Sequence, residues 1–203
     1  MSVGFAKKIG MTRLFVEGKA VPVTAIQFNK TLVLQRKSTS SDGYNAIQVG
    51  GIVKRKVGKP VLAHVAKYAN VTHGFRFISE FRDLKLDEAK IYFDINDFSE
   101  GDELDISAQV IGRGFTGVVK RHGFHGQPKS HGHDHERAPG SIGSRWPQRT
   151  VIGKKMAGHT GNNTITLKKV KIIAIDREQS LLFVNGSLPG SNSSYIRIRK
   201  VNI

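Results

Sequence analysis

The segment AVPVTAIQFNKTLVLQRK, residues 20–37, carries the clearest structural signal in this chain of 203 residues. Its first part, residues 20–28, alternates and is rich in Val, Thr and Ile, which is typical of a β-strand. A two-residue break at Asn29 and Lys30 separates it from a second apolar run, TLVLQRK. Two such runs joined by two residues predict a β-hairpin. We therefore expect antiparallel β structure here.

Strand patterns of the same kind recur toward both ends of the chain. They are NAIQVGGIV (45–53, after the turn signal at Ser41, Asp42 and Gly43), FRFISEF (75–81), DELDISAQVI (102–111), TITLKKVKIIAID (164–176), SLLFVNGSL (180–188) and YIRIRKV (195–201). Residues 60–71 begin with proline and space their apolar side chains three to four apart, which predicts a short helix. Many short strands with little helix favour a mostly β fold, either an antiparallel barrel or a sandwich.

The net charge of +16, from 32 basic and 16 acidic residues, indicates a polyanionic partner. Nucleic acid is the leading candidate, and a membrane surface is the weaker one because no basic amphipathic helix is evident. The chain has no cysteine, which excludes disulfides and thiolate chemistry. Its first residues show no apolar signal region, so we expect a cytosolic protein without a membrane span.

The charge is distributed unevenly. Residues 112–161 contain 9 basic and 2 acidic residues, whereas the segment from Glu80 to Asp105 contains ten acidic residues and only three basic ones. The acidic segment would repel a polyanion, so we expect it to face solvent or a basic partner. The basic segment is the candidate functional region.

Residues 112–161 lack any strand or helix pattern and hold eleven of the 22 glycines and six of the eight histidines. Glycine and proline should prevent both a helix and a long strand there. A long segment without secondary structure is either functional or disordered. Disorder alone does not account for Phe115, Phe124, Ile142, Trp146 and Met156, which need something to contact.

Three kinds of site compete for this segment. A metal site, as in a metal-dependent hydrolase, could use the histidine cluster, but no cysteine and no H-E-x-x-H motif accompanies it. A nucleotide loop could use GRGFTG (Gly112–Gly117), but it needs a following helix, and VVKRHGFHGQP should not sustain one. Ser141 could be a nucleophile, but it is not in a G-x-S-x-G turn. The histidine cluster of the metal-site alternative consists of His122, His125, His131, His133 and His135.

A nucleic-acid-binding arm uses every unusual feature of the segment. Its cations are spaced along a flexible backbone, and arginine binds phosphate bidentately. Trp146 and Phe124 can stack on unpaired bases, and glycine allows the backbone to approach the partner closely. From the composition and spacing of these residues alone, a general nucleic-acid binder is the expectation.

Six motifs occurring in order make the chain closely resemble bacterial-type large-subunit ribosomal protein three, the universal L-three family. They are KKIGMT (Lys7–Thr12), DGYNAIQVG (Asp42–Gly50), GRGFTGVVKRHGF (Gly112–Phe124), HERAPGSIG (His135–Gly143), GKKMAGHTGN (Gly153–Asn162) and LLFVNGSLPG (Leu181–Gly190). The resemblance covers nearly the whole chain and is weakest from about Lys54 to Asp105.

The resemblance implies a two-part architecture. Residues 1–111 and 162–203 should form an antiparallel β-barrel domain, with a small variable α/β insertion at about 54–105. Residues 112–161 should be a long, largely irregular basic extension that enters ribosomal RNA and approaches the peptidyl transferase centre. The family binds 23S-type rRNA near its 3′ end, acts early in assembly and neighbours large-subunit proteins fourteen and nineteen. The resemblance implies no catalysis, cofactor, metal or homo-oligomer, and it fits a bacterial or an organellar ribosome.

The residues expected to bind rRNA come from the basic arm and from the first motif. They are Lys7, Lys8, Arg113, Lys120, Arg121, His122, Lys129, His131, Arg137, Arg145, Trp146, Arg149, Lys154 and Lys155. Trp146 should lie at the tip of the arm. Some members carry a methylated glutamine near this point, but Gln148 is offset from it, so the resemblance does not imply methylation here.

Overall fold

A computed structural model describes residues 2–69, 73–82 and 90–201 and shows a mostly β protein, which confirms the predicted class. The chain divides into two compact units. The globular unit comprises Met1–Gln109 and Thr164–Ile203, and the arm comprises Val110–Asn163. Some predicted features lie outside the described residues: Val71 of the helix, and Asp83, Asp87 and Glu88 of the acidic segment.

The chain forms twelve strands and three α-helices among the described residues. In chain order they are β1 (Val3–Val16), β2 (Lys19–Asn29), β3 (Thr31–Lys37), α1 (Thr39–Asp42), β4 (Ala46–Lys54), α2 (Lys59–Ala69), β5 (Gly74–Arg82), β6 (Tyr92–Phe93), a 3-10 helix (Ile95–Asp97), β7 (Glu103–Gln109), β8 (Phe115–Thr116), α3 (Val118–His122), β9 (Gly158–His159), β10 (Thr164–Asp176), β11 (Leu181–Asn185) and β12 (Tyr195–Lys200). Within the described ranges no helix has the length and hydropathy of a transmembrane segment.

Six strands of the globular unit pair in the order β1-β12-β7-β10-β11-β2, and β2 pairs with β1 again, so the sheet closes into a barrel. Every ladder is antiparallel. The two-residue period of β7 explains its place, because Leu104, Ile106 and Ala108 are buried while the alternate residues are not. Apolar side chains from all six strands meet in one hydrophobic core.

A second antiparallel sheet has the order β5-β4-β3-β6 and carries α2. Gly51 of β4 lets this sheet approach the barrel, because a Cβ there would overlap the Phe5 ring of β1. Within the sheet, a Cβ at Gly50 would overlap the ring of Phe75 in β5. Val65 of α2 packs with Leu34 and Phe75 in a small separate core. The backbone of β4 therefore packs closely against the Phe5 ring of the barrel.

The hairpin predicted at Asn29 and Lys30 is wrong. β2 pairs with β1 and β11, whereas β3 pairs with β4 and β6 in the other sheet. A two-residue hairpin turn of the favoured types needs a positive φ, and neither Asn29 nor Lys30 has one. Instead the Thr31 hydroxyl donates to the Asn29 carbonyl at 2.9 Å and accepts from the Phe5 amide at 3.3 Å, where the chain changes sheets.

The second sheet does not coincide with the predicted insertion at residues 54–105. It begins with β3 at Thr31 and ends with β6 at Phe93, and β7 belongs to the barrel. The reason is that β3 and β4 are apolar strand segments like those of the barrel, so their sequences do not reveal which sheet they join.

Three carboxylates of the acidic segment form ion pairs within the globular unit. Each of the three ion pairs among the described residues uses one of its carboxylates: Glu80 with Lys37, Asp97 with Lys90, and Asp102 with Lys200. These carboxylates therefore hold internal partners, rather than facing only solvent or a basic partner as the sequence suggested.

Candidate nucleic-acid interface

The root of the arm is a short antiparallel ladder. β8 pairs with β9, placing Phe115 opposite His159 and Thr116 opposite Gly158. The Arg113 amide donates to the Thr160 carbonyl at 2.8 Å, and the hydroxyls of Thr116 and Thr160 are 2.6 Å apart. The outgoing and returning segments of the arm are therefore held side by side at its root.

The helix α3 follows directly and corrects the expectation that this segment cannot sustain one. It spans only five residues and ends at Gly123, whose φ of 73° is left-handed and whose amide donates to the Val119 carbonyl at 3.0 Å. Glycine thus ends the helix after one turn instead of preventing it. The last turn of this helix carries three consecutive cationic or polar residues, Lys120, Arg121 and His122.

Two of these side chains are positioned by the returning segment. Arg121 Nη1 donates to the Met156 carbonyl at 2.8 Å, and His122 Nε2 lies 2.9 Å from the same oxygen. Because a carbonyl only accepts, His122 Nε2 carries its hydrogen in this geometry. The guanidinium also covers Gly158, where a Cβ would overlap it. The charges at the start of the arm are therefore oriented before any partner binds.

A loop containing the alternating histidines is closed by the Gln127 amide, which donates to the Glu136 carbonyl at 3.1 Å. The His133 and His135 rings lie with their centroids 6.1 Å apart, and His133 Nδ1 accepts from the His135 amide at 3.2 Å. Among the described residues, no group of three His, Cys, Asp or Glu side chains is placed to hold a metal ion.

The arm buries very little of itself. Of residues 110–163, all of which are described, only Thr116 and Val118 are buried. Trp146 is 70% exposed and Ile152 is 92% exposed. Such large exposed apolar side chains on an otherwise polar segment indicate a surface that binds something else.

The predicted rRNA-binding residues of the arm are nearly all at the surface. His122 is partly buried, and the others are exposed: Arg113, Lys120, Arg121, Lys129, His131, Arg137, Arg145, Trp146, Arg149, Lys154 and Lys155. No ion pair found among the described residues involves a cation of the arm. The nine Lys and Arg side chains of this unit therefore present uncompensated positive charge, which suits a phosphate backbone.

Of the two lysines predicted in β1, Lys7 is half-buried and Lys8 is 7% exposed. Lys8 Nζ donates to the carbonyls of Leu188 at 2.7 Å and Gly190 at 3.1 Å. Its ammonium group is buried and hydrogen-bonded inside the globular unit, which argues against the predicted contact between Lys8 and RNA. Sequence spacing could not reveal this, because both acceptors lie about 180 residues away.

An apolar depression of about 370 Å³ is a feature of the arm that the sequence did not predict. Three separate segments converge on it, and its lining includes the buried Val118 and the exposed Arg137. The remaining lining residues are Gly117, Pro139, Ile142, Met156 and Ala157. Apolar walls beside a guanidinium group can receive a flat unpaired base and hold its phosphate.

The chain is similar to known ribosomal proteins over nearly its whole length. The family described as Ribosomal protein L3 matches residues 63–181. The large ribosomal subunit protein uL3 of Shouchella clausii is 40% identical over 196 residues, which cover 95% of this chain and 94% of that protein. The uL3 proteins of Bacillus thuringiensis and Bacillus cereus are each 40% identical over 198 residues, covering 95% of this chain and 93% of theirs. Identity at this level over this length means that the chain belongs to the ribosomal protein L3 family.

Proposed function

We propose that this protein is a structural constituent of the large ribosomal subunit that binds large-subunit rRNA directly through its arm. One observation carries the proposal: nine exposed cations without ion-pair partners lie on a unit that buries only two side chains. The uL3 relatives are named as proteins of the large ribosomal subunit. The protein thus resides in the ribosome, and its role is structural rather than enzymatic.

The energetics of the arm support an RNA partner. Ordering a backbone costs about 1–2 kcal/mol per residue, and burial of apolar surface is the usual compensation. The arm's own contacts provide little such burial, since Val118 is its one buried apolar side chain. Phosphate contacts and base stacking would supply the remaining stabilisation. The arm is therefore expected to become fully ordered only on RNA.

The finer role follows the family resemblance. We propose that the protein binds near the 3′ end of 23S-type rRNA, acts early in assembly and lies beside large-subunit proteins fourteen and nineteen. The closed six-stranded sheet would form the globular barrel domain, and the arm would extend toward the peptidyl transferase centre. It would act as a single copy within the subunit.

Within the arm, we propose a division between anchoring and tip residues. Lys120 and Arg121 on α3, with Lys154 and Lys155 on the returning segment, would anchor the arm by phosphate contacts. Trp146, with its exposed indole, would stack on or wedge between bases near the tip. The anchors would determine affinity, and the tip would influence the catalytic centre of the ribosome.

The test compares Trp146→Ala with the double change Lys154→Ala and Lys155→Ala, scored for subunit occupancy and for peptide-bond formation. We expect Trp146→Ala to enter the large subunit at near-normal occupancy and to alter peptidyl transfer or drug sensitivity at that centre. The double lysine change should impair assembly first. If Trp146→Ala abolished incorporation while the lysine changes did not affect it, the division would be wrong.

The salt dependence of binding tests the charge argument separately. If the arm neutralises about six phosphates, the logarithm of the association constant should fall with a slope of roughly −4 to −5 against the logarithm of salt concentration. A nearly flat dependence would contradict an interface of phosphate contacts. Sedimentation with the large subunit distinguishes a ribosomal protein from a general nucleic-acid binder.

A further inference from the structure

The globular unit carries a second concentration of positive charge, at the connection between β4 and α2. Residues 54–59 run from the last residue of β4 to the first residue of α2, and four of these six are cationic and exposed: Lys54, Arg55, Lys56 and Lys59. We call residues 54–59 the basic loop. It lies on the second sheet, in a part of the chain that the arm does not include.

The basic loop is built onto the sheet. Val57 is the one apolar side chain within it, and it packs against Gly74 so closely that a Cβ there would overlap it. Two residues beyond the loop, Val61 of α2 packs against the small core formed by Leu34, Val65 and Phe75. Apolar anchors therefore fix the loop from beneath, while its cations point outward.

None of the four cations forms an ion pair within the described part of the chain. The ion pairs found there use Lys37, Lys90 and Lys200 instead. Of the three paired carboxylates, Glu80 is the one that lies in the same sheet as the basic loop. Glu80 is opposite Gln48 of β4, whereas Lys54 at the end of β4 is opposite Gly74. Six residues of strand, about 20 Å, separate those positions. Four like charges held together without ion-pair partners repel one another until an anion neutralises them.

We propose that the basic loop is a second binding site for the RNA phosphate backbone, separate from the arm and resting on the rRNA-binding function proposed above. Lysine presents a compact, strongly hydrated charge that suits phosphate. The positive end of the α2 dipole, which begins at Lys59, adds to the local field. An acidic protein segment is less suitable, because the loop offers no outward apolar side chain of its own for the core of a protein interface.

The basic loop would give the globular unit its own contact with RNA. A protein held at two separated points gains affinity from both, because binding at one raises the effective concentration at the other. If the basic loop binds RNA first, this contact would position the arm on the RNA before the arm itself is ordered.

The experiment measures binding of the full chain to a transcript of 23S-type rRNA across a salt series. The loop variant replaces Lys54, Arg55, Lys56 and Lys59 with Ala. A matched control removes the same charge from scattered exposed positions of the globular unit: Arg13, Lys19, Lys168 and Arg177, each changed to Ala. Thermal unfolding of each variant verifies that the exposed changes leave the fold intact.

We expect the loop variant to bind at least tenfold more weakly than the control at near-physiological salt. Its salt slope should become shallower by about 2–3, as expected for the loss of about three phosphate contacts. Equal weakening of loop variant and control would mean that net charge alone matters and would overturn the proposal, as would wild-type binding by the loop variant. If wild type itself failed to bind the transcript, the rRNA-binding function would fail first.

A positional test uses the absence of cysteine from the chain. Lys56→Cys carries a photo-crosslinker in one sample, and Ser41→Cys carries it in the control, on the exposed helix α1 that precedes the other end of β4. We expect the Lys56→Cys sample to crosslink to one defined stretch of the rRNA. Crosslinks no stronger than those of Ser41→Cys would refute a phosphate site at the basic loop.

Discussion

Lys8→Met should destabilise the globular unit, because the native ammonium is buried and holds two carbonyls. Lys8 Nζ donates to Leu188 O at 2.7 Å and to Gly190 O at 3.1 Å, linking β1 to the loop between β11 and β12. A hydrogen bond to a charged group contributes about 1.5–3 kcal/mol, and an orphaned buried acceptor costs about 1–3 kcal/mol. Methionine keeps the length of the side chain but donates to neither carbonyl.

The free energy of unfolding should therefore fall by roughly 2–4 kcal/mol, less than the sum of the two bonds because burying the ammonium is itself costly. For a chain of this size such a loss lowers the melting temperature by about 2–4 °C per kcal/mol. Urea unfolding followed by circular dichroism gives both the midpoint and the slope. The matched control is Lys7→Met, at the half-buried neighbouring position, which should cost under about 1 kcal/mol.

The same variant distinguishes a structural lysine from an RNA contact. If Lys8→Met unfolded like the wild type and yet bound 23S-type rRNA more weakly, Lys8 would be a phosphate ligand and its burial would be irrelevant. We expect the reverse: reduced stability, with the affinity of the folded fraction unchanged.

Three further outcomes are expected. Replacing residues 114–159 with a short glycine-serine linker should leave a cooperative thermal transition, because the main core lies wholly in the globular unit; loss of all folded signal would contradict this. The hydrogen bond from Lys37 holds the pKa of Glu80 below its ordinary value, so Glu80 stabilises the fold above about pH 4.3 and loses that effect as the pH falls through its lowered pKa; Glu80→Gln should flatten acid unfolding measured by circular dichroism. Micromolar zinc should not raise the melting temperature, whereas a saturable rise abolished by changing His131, His133 and His135 would revive a metal site.

The strands of the barrel were predictable where burial alternates with the two-residue period. In β7 and β12 every second residue is buried, and the pattern is visible in the letters alone. β1 gave no such signal, since its outer half pairs only with β2 and leaves Ile9, Met11 and Phe15 exposed. The break between β2 and β3 depends on the pairing of β2 with β11, which is distant in sequence, and no local pattern in residues 20–37 records it.

The sequence predicted the location and charge of the candidate interface but not the contacts within it. The glycine content and charge of residues 112–161 indicated an arm, because those properties belong to the residues themselves. The carbonyl of Met156 that orients Arg121, and the apolar depression around Val118, require segments that meet only after folding. Lys8 shows most clearly what the sequence alone cannot predict. A lysine in a basic motif suggested an RNA contact, whereas in the fold its ammonium group donates to two carbonyls in the interior.

The arm is inserted between two strands that are themselves paired. Gln109 at the end of β7 lies opposite Thr164 at the start of β10, so both ends of the insertion are tied at one rung of the ladder. The closure entropy of such a loop grows only with the logarithm of its length, so each doubling costs about 0.6 kcal/mol. Arm length can therefore change during evolution, or in an engineered subunit carrying a reporter in the arm, at almost no thermodynamic penalty to the scaffold.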